Sequence, residues 1–268
     1  MTTTESTGRL SQLAELLDEA QSSARAVAQV TAATPLSLGD AYVVQHLLVA
    51  RRAARGDVIS GVKLGFTSRA KAQQMGVSDV IMGSITAGMA IDDGAEANHA
   101  AYIHPRIEPE IAYLLGADVD PFDDSADLHQ AVVAVAPALE IIDSRYRDFR
   151  FTLEDVVADN TSAAGYVLGP WVPSGEVGDL GNRAVRLELD GAIADTGSTA
   201  AILGHPTRAL AAARRMAREH SFLLPAGTVL LAGAATAAVP LTPGVHVSAT
   251  VAGLGSVSVR TSQNGAAQ

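Results

Sequence analysis

The sequence contains no cysteine. This absence excludes disulfide bonds, thiolate metal sites and a cysteine nucleophile, and it leaves the redox compartment undetermined. Aromatic residues make up only 4% of the 268 residues, so alanine, valine and leucine must fill most of the core. Because 48% of the residues are hydrophobic, the chain can still bury a sizeable core. The length suits one large domain, or a core domain with a smaller appendage.

Long apolar runs and a basic character are also missing. No run approaches the roughly 20 apolar residues of a membrane-spanning helix, and no basic segment followed by an apolar one indicates a signal peptide. The formal net charge is −10, whereas nucleic-acid binding needs a basic footprint. We therefore expect a cytoplasmic protein with no nucleic-acid or membrane partner.

Several common catalytic motifs are absent from the sequence. It has neither the glycine-rich dinucleotide fingerprint nor the P-loop, and it lacks both the H-E-x-x-H zinc motif and the G-x-S-x-G nucleophile elbow. The seven histidines show no metal-ligand spacing. Hydrolase chemistry that depends on histidine is therefore not expected.

The first 56 residues predict a helical region. Apolar residues recur at helical spacing over 9–24, and Ser37 with Asp40 resembles a capping box at the start of a second helix, which Gly56 ends. From residue 57 onward the chain changes to strand candidates separated by glycine and proline. They are VISGVKLGFTS, RIEPEIAYLL, AVVAVAPALEII, AAGYVLGPWV, AVRLELDG, GTVLLAGAATAAVPL and GVHVSATVAGLGSVSVR.

Helices are few in this second part. The segment GHPTRALAAARRMAREH predicts one clear helix with Pro206 in its first turn, and a shorter helix is predicted within 124–134. The strands do not alternate with helices as in βαβ units. We predict an α+β fold that is mainly β, with an N-terminal helical region over 1–56 and a β-rich domain over 57–268.

Three glutamates form the first candidate site. Glu108 and Glu110 alternate with apolar residues, so both leave the same face of a strand, and Glu140 lies in another apolar run. Carboxylates gathered in one cavity repel each other, and a hard divalent cation such as Mg²⁺ or Mn²⁺ would turn that repulsion into binding. The alternative is an amphipathic strand whose acidic face lies in water.

Lys63 and two polar segments are further candidates. Lys63 lies between glycines in an apolar strand, where partial desolvation could lower its pKa and let it move protons; the alternative is an ordinary exposed lysine. The segment Asp159–Ser162 is polar and precedes a strand, so it either bonds the backbone of a turn or binds a substrate carboxylate. Thr236 lies among small residues, which either pack tightly or let a ligand approach the backbone.

Taken in order, these segments resemble the 2-keto-4-pentenoate hydratase and 4-oxalocrotonate decarboxylase family of the fumarylacetoacetate hydrolase superfamily. The resemblance covers about residues 10–260 and rests on GVKLGFTS, PRIEPEIAYLL, PALEIIDSRYRDF, VVADNTSAAGYVLG, LGHPTRAL and AGLGSV. It implies a mixed, strongly bent β-roll with a helical N-terminal part. It also implies Mg²⁺ or Mn²⁺ on Glu108, Glu110 and Glu140, a catalytic Lys63, and substrate contacts from Leu64, Gly65, Asp79, Val80, Ser162 and Thr236.

Residues 67–89 resemble the decarboxylase branch of that family, although Met82 stands where a bulky aromatic residue is common. The resemblance thus implies a metal-dependent lyase that decarboxylates 2-oxo-3-hexenedioate (4-oxalocrotonate) to 2-hydroxypenta-2,4-dienoate in catechol meta-cleavage. A hydratase acting on that dienoate is the alternative, and a non-catalytic partner subunit is an alternative of another class. The expected assembly is a homo-oligomer, with or without the pathway hydratase.

Overall fold

The computed structural model describes residues 3–68 and 79–263. The sequence prediction from residues 69–78, which carry part of the branch-specific stretch, lies outside the described residues. The α-helices are α1 Thr3–Ser22, α2 Leu38–Ala54, α3 Leu128–Ala131, α4 Leu153–Ala158, α5 Ser174–Val177 and α6 Arg208–His220. None of the helices in the described ranges is long and apolar enough to cross a bilayer.

Fourteen strands are described, and they form two mixed sheets. The larger sheet has the order β2-β1-β11-β5-β6-β7-β3, with β12 beside β5 and β8 beside β6, and the smaller has the order β10-β9-β13-β14-β4. Most pairs are antiparallel, but β1 runs parallel to β11. The strands are β1 Ile59–Gly65, β2 Ile81–Thr86, β3 Ala90–Ile91, β4 Glu96–Ala97, β5 Arg106–Leu115, β6 Val132–Ile142, β7 Ala163–Leu168, β8 Val172–Pro173, β9 Ala184–Leu189, β10 Ala192–Ser198, β11 Val229–Ala234, β12 Val239–Pro240, β13 His246–Val251 and β14 Gly255–Thr261.

The helices and the larger sheet share one core. Its buried residues come from α1, α2, α6 and the strands, for example Leu17, Leu48, Leu64, Ile111 and Leu210. A second cluster joins the two sheets to each other, with Ile107, Leu139 and Val247 among its members. Because the N-terminal helices pack in the main core, they support the sheet that carries the candidate site. The domain boundary at residue 56 stays a prediction.

The predicted strands and the helical N-terminal region are confirmed, with shifted ends. The Ser37 side chain accepts a hydrogen bond from the Asp40 amide at 3.0 Å, as a helix N-cap does. In contrast to the predictions, α3 has only four residues, and α6 begins at Arg208, after Pro206. Strand β2 was not predicted because its sequence, IMGSIT, gives neither a regular alternation nor a continuous apolar run.

Two adjacent valines on α2 test how the helical region contributes to stability. Val44 is fully buried and Val43 is 43% exposed. We expect Val44→Ala to lower the free energy of unfolding by about 2 kcal/mol, because it removes two buried methyl groups and leaves a cavity. Val43→Ala should change it by less than about 0.5 kcal/mol. Urea unfolding followed by circular dichroism measures both values, and equal effects would contradict the placement of Val44 in the core.

Candidate metal and lysine site

The pairing of β5 with β6 brings the three glutamates together. Glu108 lies directly opposite Glu140 in the register, and Glu110 is two residues further along the same face of β5. One carboxylate oxygen from each residue lies within 4.8 Å of the others. All three side chains are buried, and Glu110 is 0% exposed, so the alternative of an acidic strand face in water is wrong.

Alternation along the strands explains why the carboxylates lie inside the protein. Ile107 and Leu139 point to the opposite face, where they pack in the cluster that joins the two sheets. On the carboxylate face the neighbours along the strands are small, namely Ala112, Ala136 and Ala138. Both faces of this part of the sheet are therefore buried. The glutamates are enclosed because the apolar residues beside them along the strands belong to the core.

Pro109 lies where the partner strand of β5 changes. β11 pairs with β5 as far as Glu110, and β12 takes over at Ile107. Since proline has no N–H to donate, it is tolerated where a ladder is interrupted. Pro109 therefore coincides with the interruption between β11 and β12.

Lys63 reaches the same cluster from β1. Its ammonium lies 3.0 Å from Glu140 Oε1 and donates a hydrogen bond to the carbonyl oxygen of Thr161 at 3.1 Å. The side chain is buried, so the reading of Lys63 as an ordinary exposed lysine is wrong. Burial alone would lower the pKa of Lys63, but the carboxylates of Glu140, Glu108 and Glu110 together raise that pKa above its usual value. The pKa of Lys63 therefore shifts in the direction opposite to the expected one, which favours the protonated ammonium.

Burial shifts the pKa of the glutamates in the opposite direction from that of a lysine. Burial raises the pKa of Glu110 well above its usual value, and Glu140 and Glu108 raise it further; burial also raises the pKa of Glu140 in spite of Lys63. Glu110 Oε2 accepts a hydrogen bond from the Gly233 amide at 2.8 Å. Glu110 Oε1 and Glu140 Oε2 are buried and accept no hydrogen bond from any described donor outside the carboxylate cluster. Within the described part of the chain, these buried carboxylates outnumber the nearby cations, and such a set of oxygen ligands fits a hard divalent metal ion.

A short 3₁₀ turn, Asn160–Ser162, carries the carbonyl that contacts Lys63. Its three residues have φ angles of 48°, 53° and 59°. Left-handed backbone costs about 1–2 kcal/mol for each non-glycine residue, and a β-branched threonine is an outlier there. The hydroxyls of Thr161 and Ser162 are buried without a hydrogen-bond partner among the described residues, so polar groups remain available beside the lysine.

Arg145 was not singled out from the sequence, yet it forms a fully buried ion pair with Asp159, the first residue of the predicted polar segment. Arg145 follows β6, and Asp159 follows α4. A charged residue directly after a long buried strand was the available signal. Charges are rarely buried unless they are paired, but the sequence alone does not show which partner an arginine will find.

The other residues predicted to contact substrate lie in several different parts of the structure. Leu64 and Val80 are buried in the main core, and Gly65 ends β1. Asp79 is half-exposed and pairs with Arg215 of α6. Thr236 donates a hydrogen bond to the carbonyl of Ala237 at 3.2 Å. The structure thus brings Lys63, the glutamates and the Ser162 turn together; contact of substrate with Leu64, Gly65, Asp79, Val80 and Thr236 stays a prediction.

Comparison with known proteins gives a consistent result. Residues 63–261 match the family model for the C-terminal domain of fumarylacetoacetate hydrolase. A 4-oxalocrotonate decarboxylase from Pseudomonas sp. is 48% identical over 254 residues, which are 94% of this chain and 98% of that protein. A 2-keto-4-pentenoate hydratase from Paraburkholderia phymatum is 37% identical over 254 residues, 93% of this chain and 96% of the hydratase.

A solved structure is similar over nearly the whole chain. It is 4-oxalocrotonate decarboxylase from Pseudomonas putida G7 in complex with magnesium and adipate, with a TM-score of 0.91 and 37% identity over 97% of this chain and 99% of that one. The agreement confirms the expected fold, including the helical N-terminal part. Fold, family model and relatives together identify this chain as a member of the fumarylacetoacetate hydrolase family.

Proposed function

We propose that this protein is a divalent-metal-dependent lyase that converts 2-oxo-3-hexenedioate (4-oxalocrotonate) to 2-hydroxypenta-2,4-dienoate and CO₂, a step of catechol meta-cleavage. The observation that carries the proposal is the buried cluster of three glutamates with Lys63, in a chain 48% identical to a decarboxylase of that name. Adipate, bound with magnesium in the related structure, is a six-carbon dicarboxylate like the proposed substrate.

Glu108, Glu110 and Glu140 would hold the cation, which we propose to be Mg²⁺ or Mn²⁺. Their hard oxygen ligands and their excess negative charge suit either ion. When bound, the cation supplies Lewis-acid stabilisation of negative charge on the substrate's 2-oxo group. The Gly233 amide holds Glu110 in place by its hydrogen bond, so the ligand set is oriented in advance.

Lys63 would act as the proton and hydrogen-bond donor of the reaction. The bond between C5 and C6 breaks, CO₂ leaves, and the electron pair moves through the alkene to the oxygen at C2. A protonated lysine stabilises that oxygen as charge develops on it, and its raised pKa keeps it protonated. Protonation of the oxygen gives the dienol product. Ser162 and Thr236 would bind substrate oxygens, Leu64 and Gly65 would line the pocket near Lys63, and Asp79 and Val80 would shape its distal end.

The reaction itself is the first test. Purified protein with Mn²⁺ or Mg²⁺ should consume 2-oxo-3-hexenedioate and release one CO₂ per molecule, and EDTA should stop the reaction because the ligand cluster would lose its cation. Ultraviolet absorbance follows the substrate, and a coupled assay follows CO₂. Metal-loaded protein that leaves this substrate unchanged would contradict the proposal.

A hydratase acting on 2-hydroxypenta-2,4-dienoate is the second candidate, since a 2-keto-4-pentenoate hydratase aligns over 93% of this chain. Supplying the dienoate by itself separates the two functions, because a hydratase yields 4-hydroxy-2-oxopentanoate and no CO₂. A non-catalytic partner subunit would do neither. Assembly as a homo-oligomer or with the pathway hydratase stays a prediction alongside these functions.

Glu110→Gln tests the metal site without a catalytic readout. The variant should weaken Mn²⁺ binding about tenfold or more, because it removes one anionic ligand. In metal-free protein it should raise the melting temperature, because it relieves repulsion among buried carboxylates. Isothermal titration calorimetry and thermal unfolding measure the two effects, with the exposed Glu96→Gln as control. Wild-type Mn²⁺ affinity in Glu110→Gln would exclude Glu110 as a ligand.

Lys63→Met separates catalysis from metal binding. We expect kcat to fall about 100-fold, as is usual when a positioned proton donor is lost. Mn²⁺ should bind at least as tightly as in the wild type, because a cation 3.0 Å from Glu140 is removed. Steady-state kinetics and calorimetry on the same preparation measure both quantities. Unchanged kcat would remove Lys63 from the mechanism.

A further inference from the structure

The contact between Lys63 and the Thr161 carbonyl depends on an unfavourable turn. Three consecutive non-glycine residues, Asn160–Ser162, hold left-handed backbone, which an isolated chain of this sequence would avoid. The carbonyl oxygen of Thr161 nevertheless lies 3.1 Å from the Lys63 ammonium. Such a conformation persists only where the surrounding structure over-determines it, so neighbouring residues must hold the turn.

Arg145 holds both ends of the turn with a single guanidinium. One terminal nitrogen donates hydrogen bonds to the carbonyls of Asp143, at 2.8 Å, and Ala163, at 3.1 Å. The other donates to the carbonyl of Asp159, and Nε pairs with the Asp159 carboxylate. Asp159 precedes the turn and Ala163 follows it. The planar fork of arginine makes these bonds in fixed directions, which a lysine cannot do.

Asn160, the first residue of the turn, is hydrogen-bonded to β2. Its side-chain oxygen accepts a hydrogen bond from the Ser84 amide at 2.8 Å, and its side-chain nitrogen donates to the Ser84 carbonyl at 2.8 Å. The adjacent Gly83 leaves room for the turn, because a Cβ there would lie 2.2 Å from Thr161 Oγ1. Gly83 is also the partner of Lys63 in the pairing of β1 with β2. The turn is therefore fixed to the strand beside the lysine.

We propose that Arg145 and Asn160 are positioning residues for the proposed decarboxylation: they hold the strained turn so that the Thr161 carbonyl and Glu140 together fix the Lys63 ammonium. The inference rests on the proposed function for its catalytic consequence, but the placement of the ammonium can be measured without substrate. Neither side chain touches the three glutamates in any described hydrogen bond, so metal binding should not depend on them.

Asn160→Gly is the decisive variant. Glycine adopts a φ of +48° freely, so the substitution removes the amide without adding backbone strain. The chain has only two lysines, Lys63 and Lys71, so ¹⁵N-lysine labelling gives at most two side-chain signals. Lys63→Met assigns the one from Lys63. In the wild type we expect a slowly exchanging ammonium signal from Lys63, and in Asn160→Gly we expect that signal to shift and to exchange with water faster.

Kinetics then test whether the turn acts through Lys63. We expect Asn160→Gly to lower kcat about tenfold, since small displacements of a catalytic group have effects of this order, with KM and Mn²⁺ affinity nearly unchanged. In a Lys63→Met background the same substitution should have no further effect on kcat, because residues that act as a unit are non-additive. Arg145→Lys should give the same pattern, and if it fails to fold, Asn160→Gly decides alone.

Thr31→Val is the matched control. It removes a 2.8 Å hydrogen bond to Asp155 on the neighbouring helix α4 without touching the turn, so it should leave the Lys63 signal and kcat unchanged. An unchanged Lys63 signal in Asn160→Gly, or an equal loss of kcat with and without Lys63, would overturn the inference. A different result would overturn the proposed function instead: the wild type binds Mn²⁺ but releases no CO₂, while the Lys63 signal still shifts in Asn160→Gly. That result would leave the positioning role of the turn intact.

Discussion

Electrostatic imbalance inside the larger sheet is the constraint on which the site depends. Among the described residues, three buried carboxylates lie near one ammonium. Charges taken out of water are costly unless they are compensated. The protein meets part of this cost with Lys63 and part with the Gly233 amide. We propose that the remaining negative charge is balanced by a divalent cation. Burial and the neighbouring carboxylates raise the pKa of Glu110. The carboxylates also raise the pKa of Lys63, against the effect of burial.

Backbone strain beside the site follows a similar logic. The turn Asn160–Ser162 is unfavourable by itself, yet it presents a carbonyl to the lysine. The Ser162 hydroxyl has no hydrogen-bond partner among the described residues. The surroundings compensate with a buried arginine and an amide that bonds to a strand. Buried polar networks of this kind define one geometry when every member is satisfied. The turn is thus locally unfavourable, but it places the Lys63 ammonium precisely.

Much of the fold could be predicted from local pattern. Alternation along RIEPEIAYLL predicts the strand Arg106–Leu115 with the bounds that the structure has, and Ser37 predicts the start of a helix region correctly. Strand β2 escaped prediction because Gly83 and Ser84 interrupt its apolar residues, although all six residues are buried. Strand β10 escaped for a different reason, since it is largely exposed and carries few apolar residues.

The sequence by itself determined which chemical groups are available: oxygen ligands without thiolates, one lysine in an apolar strand, and a polar turn before β7. Its ordered motifs also indicated the family. Only the tertiary structure decided that the glutamates face each other in a dry space, that the pKa of Lys63 rises, and that Arg145 pairs with Asp159. The physical reason is that burial and charge proximity arise from strands far apart in the chain. Sheet pairing brings residues 63, 110 and 140 together, and the turn at residue 161 packs beside them. No local pattern encodes the distances between these residues.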